Sequence, residues 1–499
     1  MKDLTLARLK NTDFPNYYRS FVQSNELDLN QKQTMLELAI VFLNCDNEDI
    51  RKLGYRIVLK CCNKTGDYIP LYDVAINEGY IPIAKFIELN HLGDYETQDR
   101  FFYEFQSSFE ENFKKDSIYL TEEQLQLTNF FNKNNDESIA VVAPTSYGKS
   151  ELIMGLIENN QKSNICIVVP TKSLLAQTKK RIINHKSYNR NRKIVTHPEM
   201  YNISDDNFIA VLTQERLLRL LQHDKNLSFD HVVVDEAHNL LDSDERSELL
   251  AASLIILNKR NPELKVKYLT PFLLNTDNLA LKSMDLEYKA FIITENIKSE
   301  NYFYYDFSSD VGLVQYDQFM DEHLLVDERK YDSDIALIRD KSSSKNVIYL
   351  NRPVHIELVT KSLMEDKDIE VNPKILKAIE DISSYVHVDY SLITALKKGI
   401  VYHHGSVPDN IRLYIEYLFS TIPEIHYIIT TSTLLEGVNI PADTMFLLDY
   451  KKGLSKLSHA QFKNLVGRVS RFGEIFDYEN GSLQRHLSSA GLLIWKYTG

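Results

Sequence analysis

A chain of 499 residues is more than one ordinary hydrophobic core organises, and a prior of about 150 residues per domain points to roughly three domains. With 43% apolar and 25% charged residues the chain is globular, no apolar run approaches the roughly 18 residues of a membrane span, and the start MKDLTLARLK is too charged for a signal peptide, so a cytoplasmic protein without a membrane partner is expected. A net charge of −13 excludes a surface coated all over with nucleic acid while leaving room for a local basic groove, and four cysteines without CxxC spacing exclude a disulfide framework and read as buried thiols.

Residues 1–118 lack strand-like alternation. Apolar residues recur there at three and four, as in EDIRKLGYRIVLKCC and PLYDVAINEGYIPIAKFIEL, which predicts a helical N-terminal domain built of short helix pairs of the kind that stack as repeats. From 119 to 275, short apolar runs (SIAVVAP, NICIVVP, NFIAVLT, HVVVDEA, KVKYLTP) alternate with amphipathic helices, the pattern of a parallel sheet with crossover helices. A polar, aromatic-rich connector is expected over 276–345. A second α/β series then fills 346–499, with KNVIYLN, KGIVYHH, IHYIITT and DTMFLLDY as strands. The expected fold is α/β, two tandem parallel-sheet domains after an all-α region, with a cleft between them.

Within the first series, a buried strand over Ile139–Val142 runs into Ala143, Pro144, Thr145, Ser146, Tyr147, Gly148, Lys149 and Ser150. This is the P-loop spacing with alanine in the place of the first glycine. Backbone N–H groups at a helix start cradle phosphates, Lys149 reaches the outer ones, and the Ser150 hydroxyl can ligate Mg2+. Downstream, HVVVDEAH places Asp235 and Glu236 at the end of an apolar strand, where one acid can hold the metal and its neighbour can polarise the attacking water. The stretch 172–193 holds eight basic residues and no acidic one, which suits an electrostatic track or a solvated face. His403 and His404 have no accompanying Cys or His cluster and are not read as metal ligands.

With these residues in view, the chain from about 119 to 472 resembles the superfamily 2 helicases, and within them the DExH, superkiller-type branch. Gln124 stands where that family reads adenine; VVPTKSLLAQ (168–177) and VLTQERL (211–217) resemble its strand-contacting motifs. YHHG (402–405) with Arg412 and Glu416 resembles the element before motif V, TTSTLLEGVNIPA (430–442) motif V itself, and NLVGRVSR (464–471) motif VI. The resemblance implies two RecA-like domains closing on ATP and Mg2+, with Glu436 and Gly437 at the nucleotide and Arg468 and Arg471 reaching the γ-phosphate from the second domain. It places Thr171, Thr213, Thr431 and Thr433 on the backbone of a single strand of DNA or RNA, and it gives His238 and Thr270 a role in coupling the ATP site to motif III. Two motifs depart from the family pattern. Motif III reads Thr270, Pro271, Phe272 where Ser-Ala-Thr is usual, and motif VI carries Asn464 for glutamine and Val469-Ser470 for Ala-Gly.

The implied activity is ATP-driven movement along a single strand, 3′ to 5′ if the branch resemblance holds. Two alternatives stand beside it. One is a motor subunit of a nuclease or phage-defence complex, with the N-terminal helices docking the partner enzyme; the other is a non-translocating nucleotide switch, which the altered motif III favours. The N-terminal helices carry none of the motor motifs, so their removal is expected to leave ATP hydrolysis intact.

Overall fold

The structure, a computed structural model, describes residues 4–495 except 25, 92–99, 116–117, 145–146, 187, 242–244, 272–278, 280–286, 296, 366–372, 388–389, 433–441 and 468–489. The chain begins with seven helices, α1 (Leu6–Leu9), α2 (Phe14–Gln23), α3 (Leu29–Leu43), α4 (Glu48–Thr65), α5 (Ile69–Asn77), α6 (Ile81–His91) and α7 (Arg100–Glu110). Asp28 and Asn47 cap α3 and α4 with their side chains, and Gly66, at φ 69°, ends α4 in the left-handed region open to glycine. Gly54 lets α3 and α4 approach closely, since a Cβ there would lie 3.0 Å from Ala39 O and Phe42 Cβ. A short ribbon, β1 (Lys114–Lys115) and β2 (Ile118–Tyr119), leads out of this region.

The first α/β unit runs through α8 (Glu122–Lys133), β3 (Ile139–Val142), α9 (Lys149–Asn159), β4 (Ile165–Val168), α10 (Lys172–Asn184), β5 (Ile194–Val195), β6 (Ile209–Leu212), α11 (Gln214–His223), β7 (His231–Asp235), α12 (Glu245–Arg260), β8 (Lys265–Thr270) and β9 (Lys289–Ile292). Its strands form a seven-stranded sheet in the order β5-β6-β4-β7-β8-β3-β9, parallel at every pairing. The central strands are buried throughout, which is why they read as unbroken apolar runs.

The second unit contains β10 (Asn301–Asp306), β11 (Leu313–Asp317), β12 (Glu322–Asp327), α13 (Asp334–Lys341), β13 (Asn346–Tyr349), α14 (Pro353–Leu363), α15 (Pro373–Ser383), α16 (Ser391–Leu396), β14 (Ile400–His403), α17 (Asp409–Thr421), β15 (Tyr427–Thr430), β16 (Thr444–Leu447), β17 (Lys451–Lys452), β18 (Ser455–Lys456), α18 (His459–Val466) and β19 (Ala490–Trp495). Its eight-stranded sheet has the order β12-β11-β10-β19-β16-β13-β15-β14. It is parallel from β10 to β14, and β11 and β12 extend it antiparallel. The fold class is therefore the expected one, an all-α region followed by two tandem parallel-sheet domains.

Two features differ from the sequence reading. The stretch read as a connector supplies strands to both sheets, β9 to the first and β10–β12 to the second. Its aromatic residues are the half-buried faces of those strands. The N-terminal helices are also not a separable unit. Phe21, Phe42, Ile57 and Ile87 share one continuous core with Phe131, Ile139, Val141 and Leu156 of the first α/β unit and with Phe319, Met320 and Leu324 of the second. Helical periodicity reports that a face is buried but not which surface buries it.

Candidate active site

In a parallel sheet every strand delivers its carboxyl end to the same edge, so β3, β4, β6, β7 and β8 place Ala143, Thr171, Thr213, Asp235 and Thr270 along one rim. The phosphate loop starts there. Ala143, fully buried, donates its N–H to Thr270 O at 3.0 Å, which ties the loop to the end of β8. Gly148 is the N-cap of α9 at φ 81°, and a Cβ at this position would meet nothing within 4 Å, so backbone conformation rather than crowding calls for glycine. Lys149 opens α9, and its Nζ donates to Ala143 O at 2.5 Å and Pro144 O at 3.1 Å, folding the ammonium back over the loop. Ser150 follows on the first turn, half-buried.

The carboxylates of β7 face this loop. Burial and the neighbouring Glu236 push the Asp235 carboxyl well above the usual carboxylate range, and the charges of Lys149 and Arg181 oppose the rise. Glu236 adopts φ 53°, a left-handed conformation that costs a non-glycine residue about 1–3 kcal/mol. Its N–H donates to Asp235 Oδ1 at 3.1 Å. Glu236 Oε2 is buried without a hydrogen bond among the described residues and lies 3.4 Å from His238 Nδ1. Thr270 Oγ1 is also 3.4 Å from that nitrogen. Glu236, His238 and Thr270 thus form a line from the end of β7 to the end of β8, which brings the two residues expected to couple the site into register with the acid.

The donors suit Mg2+ with a nucleotide. An aspartate whose proton affinity is raised by its surroundings, as that of Asp235 is, is relieved by a cation, and the described residues contain no cluster of three or more His, Cys, Asp or Glu that could hold a metal unaided. A divalent ion here needs phosphate oxygens as further ligands, as ATP supplies. Gln124 sits at the third position of α8 in a capping box: its Oε1 accepts from Thr121 N at 2.9 Å and its own N–H donates to Thr121 Oγ1 at 3.1 Å. The amide oxygen is therefore engaged locally.

Thr171 caps α10, accepting from Leu174 N at 3.2 Å; Thr213 precedes α11 and Thr431 follows β15, and all three are buried. Thr145, Ser146, Thr433, Glu436, Gly437, Arg468 and Arg471 lie outside the described residues. The two units meet across α10 and α17, where Gln177 Nε2 donates to Glu416 Oε2 at 3.4 Å and Lys180 lies 5.8 Å from the Tyr417 ring centroid.

One surface was missed in the sequence. Strands β17 and β18 form a hairpin that turns at Gly453, φ 63°, and Leu454; the leucine is 95% exposed, between Lys451, Lys452 and Lys456. Beside it a groove of about 1270 Å³ is lined by Tyr302, Tyr304, Tyr316, Phe462, Arg352 and Lys463 among others. The signal was present in KKGLSK, a two-residue glycine turn between paired lysines, but two-residue strands are too short to register as alternation.

A DEAD/DEAH box helicase family model matches residues 121–270, and a helicase conserved C-terminal domain model matches residues 374–473, together half of the chain. The chain belongs to the superfamily 2 helicases. It carries the two domains of this ATP-hydrolysing family, and the P-loop, Gln124 and the Asp235-Glu236 pair all fall within the first match. Anti-bacteriophage protein B of Escherichia coli K12 is 24% identical over 347 residues, which is 68% of this chain and 44% of that protein. The ATP-dependent DNA helicase Hel308 of Thermoplasma volcanium is 22% identical over 389 residues, 74% of this chain and 53% of that helicase. The chain spans about half the length of the curated relatives it matches. Among solved structures, the Mycobacterium smegmatis helicase Lhr bound to ssDNA and AMP-PNP aligns with a TM-score of 0.50 at 16% identity, covering 78% of this chain and 47% of that one, a likeness of fold. Among the described residues no helix is long and apolar enough to cross a membrane.

Proposed function

We propose that this superfamily 2 helicase is an ATP-driven translocase that moves along a single nucleic-acid strand, 3′ to 5′, and separates duplexes in the cytoplasm. The observation that carries the reading is the half-buried Asp235-Glu236 pair on the same sheet edge as the Lys149 loop, within electrostatic reach of that lysine. Bound with Mg2+, ATP supplies the phosphoryl group whose transfer to water releases the free energy. Lys149 would leave the loop carbonyls to neutralise the outer phosphates, Ser150 and Asp235 would hold the metal, and Glu236 would orient a water and take its proton. Gln124 offers Nε2 to the base, while Glu436 and Gly437 border the nucleotide from the second domain. Arg468 and Arg471 stabilise the developing charge, a role worth roughly 10³ to 10⁵ in rate. The line Glu236, His238, Thr270 couples the state of the acid to the end of β8. Thr171, Thr213, Thr431 and Thr433 hold strand phosphates, contacts that position a strand without reading its sequence.

In this reading the helical layer of residues 1–118 precedes an ATP-binding unit that runs from 119 through β9 and a C-terminal unit that runs from β10 onward. Leu454, exposed at the tip of a lysine-flanked hairpin, acts as the wedge that parts base pairs, and the aromatic and basic groove beside it receives an unpaired strand. Leu454→Asp is expected to lower strand displacement while single strands still stimulate ATP hydrolysis. Equal displacement by the variant and the wild type removes the wedge from the account.

The decisive experiment compares strand displacement on matched DNA and RNA duplexes carrying 3′ or 5′ tails, with ATPase measured on the same preparation. A folded, ATP-binding protein that neither strand stimulates is a nucleotide switch instead. The similarity to anti-bacteriophage protein B favours a second reading, a motor subunit of a defence complex whose nuclease is a separate chain. Co-purification of nuclease activity with the tagged protein tests it.

A further inference from the structure

The hairpin of β17 and β18 has two residues in each strand, and its register sets Lys451 directly opposite Lys456. A lone two-stranded ribbon is marginal in water, and like charges facing one another across it repel. Pairing within the hairpin therefore does not explain why its tip, Gly453 and Leu454, stands in one place. Contacts to the second sheet do. Gly453 N donates to Asn351 Oδ1 at 2.7 Å, and Asn351 Nδ2 donates to Gly453 O at 2.8 Å. One side-chain amide thus satisfies both backbone groups of the turn glycine, as a neighbouring strand would. Tyr349, buried at the end of β13, donates its hydroxyl to Lys451 O at 2.8 Å and braces the first strand of the hairpin.

Asn351 is itself held from both sides. It lies between Tyr349, the last residue of β13, and Pro353, the first of α14. Its neighbour Leu350 donates its N–H to Thr430 O, at the end of β15, at 2.9 Å. Strand β13 is paired with β15 on one side and with β16 on the other. A line of contacts therefore runs from the middle of the second sheet through Asn351 to Gly453, the residue before Leu454. A wedge parts base pairs only while its tip holds against the duplex that it meets, and a tip free to swing yields instead.

We propose that Asn351 is a positioning residue for strand separation: its amide clamps Gly453 and so fixes the Leu454 tip to the centre of the second sheet, with Tyr349 as a second brace. This rests on the reading of Leu454 as the wedge. Asn351 acts through the hairpin and needs no contact with the nucleic acid. The fraction of molecules with a clamped tip enters strand displacement directly. If loss of both amide bonds leaves the tip clamped about a fifth of the time, displacement falls about fivefold.

The test uses the full chain on tailed DNA and RNA duplexes and compares wild type, Asn351→Ala, Tyr349→Phe, Leu454→Ala and the double variant Asn351→Ala with Leu454→Ala. Strand displacement, ATPase stimulated by single strands and single-strand affinity are measured on each. A nitroxide on Leu454→Cys, with and without Asn351→Ala, reports the mobility of the tip, and because the four native cysteines are buried the label goes to the hairpin. Asn351→Ala is expected to lower displacement about fivefold, to keep ATPase and affinity within about twofold of wild type, and to narrow the nitroxide spectrum. Tyr349→Phe, which removes one bond and keeps the ring, is expected to do the same to a smaller extent. With Leu454→Ala already present, Asn351→Ala should cost nothing more, since both changes act at one tip. An unchanged nitroxide spectrum overturns the clamp, and a freed tip with wild-type displacement overturns the positioning role. Additive losses in the double variant, or weaker single-strand binding by Asn351→Ala, make Asn351 a direct strand contact and overturn the proposal as well. Leu454→Ala displacing as well as wild type defeats the wedge reading itself, and the nitroxide spectrum then still decides whether Asn351 holds the hairpin.

Discussion

Lys149 and Glu236 make opposite demands on their surroundings, and each yields a separate prediction. In the proposed mechanism Lys149 is the charged phosphate contact of the loop, so Lys149→Ala is expected to abolish ATP hydrolysis in a steady-state assay; near-normal turnover contradicts the assignment. Glu236→Gln keeps the shape of the side chain but cannot take a proton, so ATP binding persists while hydrolysis falls about 10²- to 10⁴-fold. Loss of ATP binding in that variant gives Glu236 a different role. A third residue contributes to pH dependence away from this site. His403 is fully buried, and burial together with the nearby positive charge of Arg412 and His404 lowers it to about 3. The unfolded chain protonates this imidazole near its ordinary value, so unfolding takes up a proton between about pH 6.5 and pH 3. The stability present above that window is lost as pH falls through it, and the urea midpoint is expected to drop from pH 7.5 to pH 5. His403→Gln should flatten that drop, and an unchanged slope in the variant excludes His403 as the cause. The phosphate loop and the acid pair were legible because strand, turn and functional group are contiguous in the chain. The 3.4 Å approach of His238 to Thr270 depends on β7 and β8 being neighbours, which no local pattern encodes.

Among the elements, buried strands were the most readable, since a strand covered on both faces must be apolar along its length. The aromatic-rich stretch before residue 345 read as a connector because β10 is half-buried and mixes tyrosine with polar ends, so its place beside β19 rests on contacts far away in the sequence. The N-terminal helices are legible as helices from their periodicity, but their packing partners are not. Tyr18, Phe21, Phe42, Ile57 and Ile87 complete the core that Ile139 and Val141 of β3 also occupy. Deleting residues 1–110 would expose that face of the first sheet's covering layer to water, at about 25 cal/mol for each Å² of apolar surface. The deletion is therefore expected to give an insoluble or unfolded chain, read by recovery after centrifugation and by a cooperative unfolding transition. A soluble, ATP-hydrolysing fragment restores the view of these helices as a detachable partner-binding module.

At the scale of the whole molecule, the helical layer is tied to both sheets. At the first it shares the core around β3; at the second it is joined by a buried polar cluster. Arg56 on α4, 2% exposed, lies 3.6 Å from Asp317 at the end of β11, which is fully buried. Tyr18 OH donates to Asp317 Oδ2 at 2.9 Å and accepts from Arg56 Nε at 3.2 Å, while the guanidinium also donates to Glu300 O, Ser299 Oγ and Asn301 Oδ1. The second oxygen of Asp317 accepts from Phe319 N and Met320 N, so every member has partners. Removing one charge from such a pair leaves the other buried and uncompensated, at about 3–5 kcal/mol, whereas replacing both with apolar side chains of similar volume is often neutral. Asp317→Leu alone is thus expected to lower the unfolding free energy by about 3–5 kcal/mol, and Arg56→Met with Asp317→Leu to recover most of that loss. Because the cluster joins α2 and α4 to β11, the single variant should unfold the helical layer and both sheets in one transition rather than release the second domain alone. Calorimetry with far-ultraviolet circular dichroism decides between these outcomes. Two resolved transitions, with the first confined to the second domain, would show that the helical layer belongs energetically to the first sheet and that the Arg56 cluster is an interface between independent folding units.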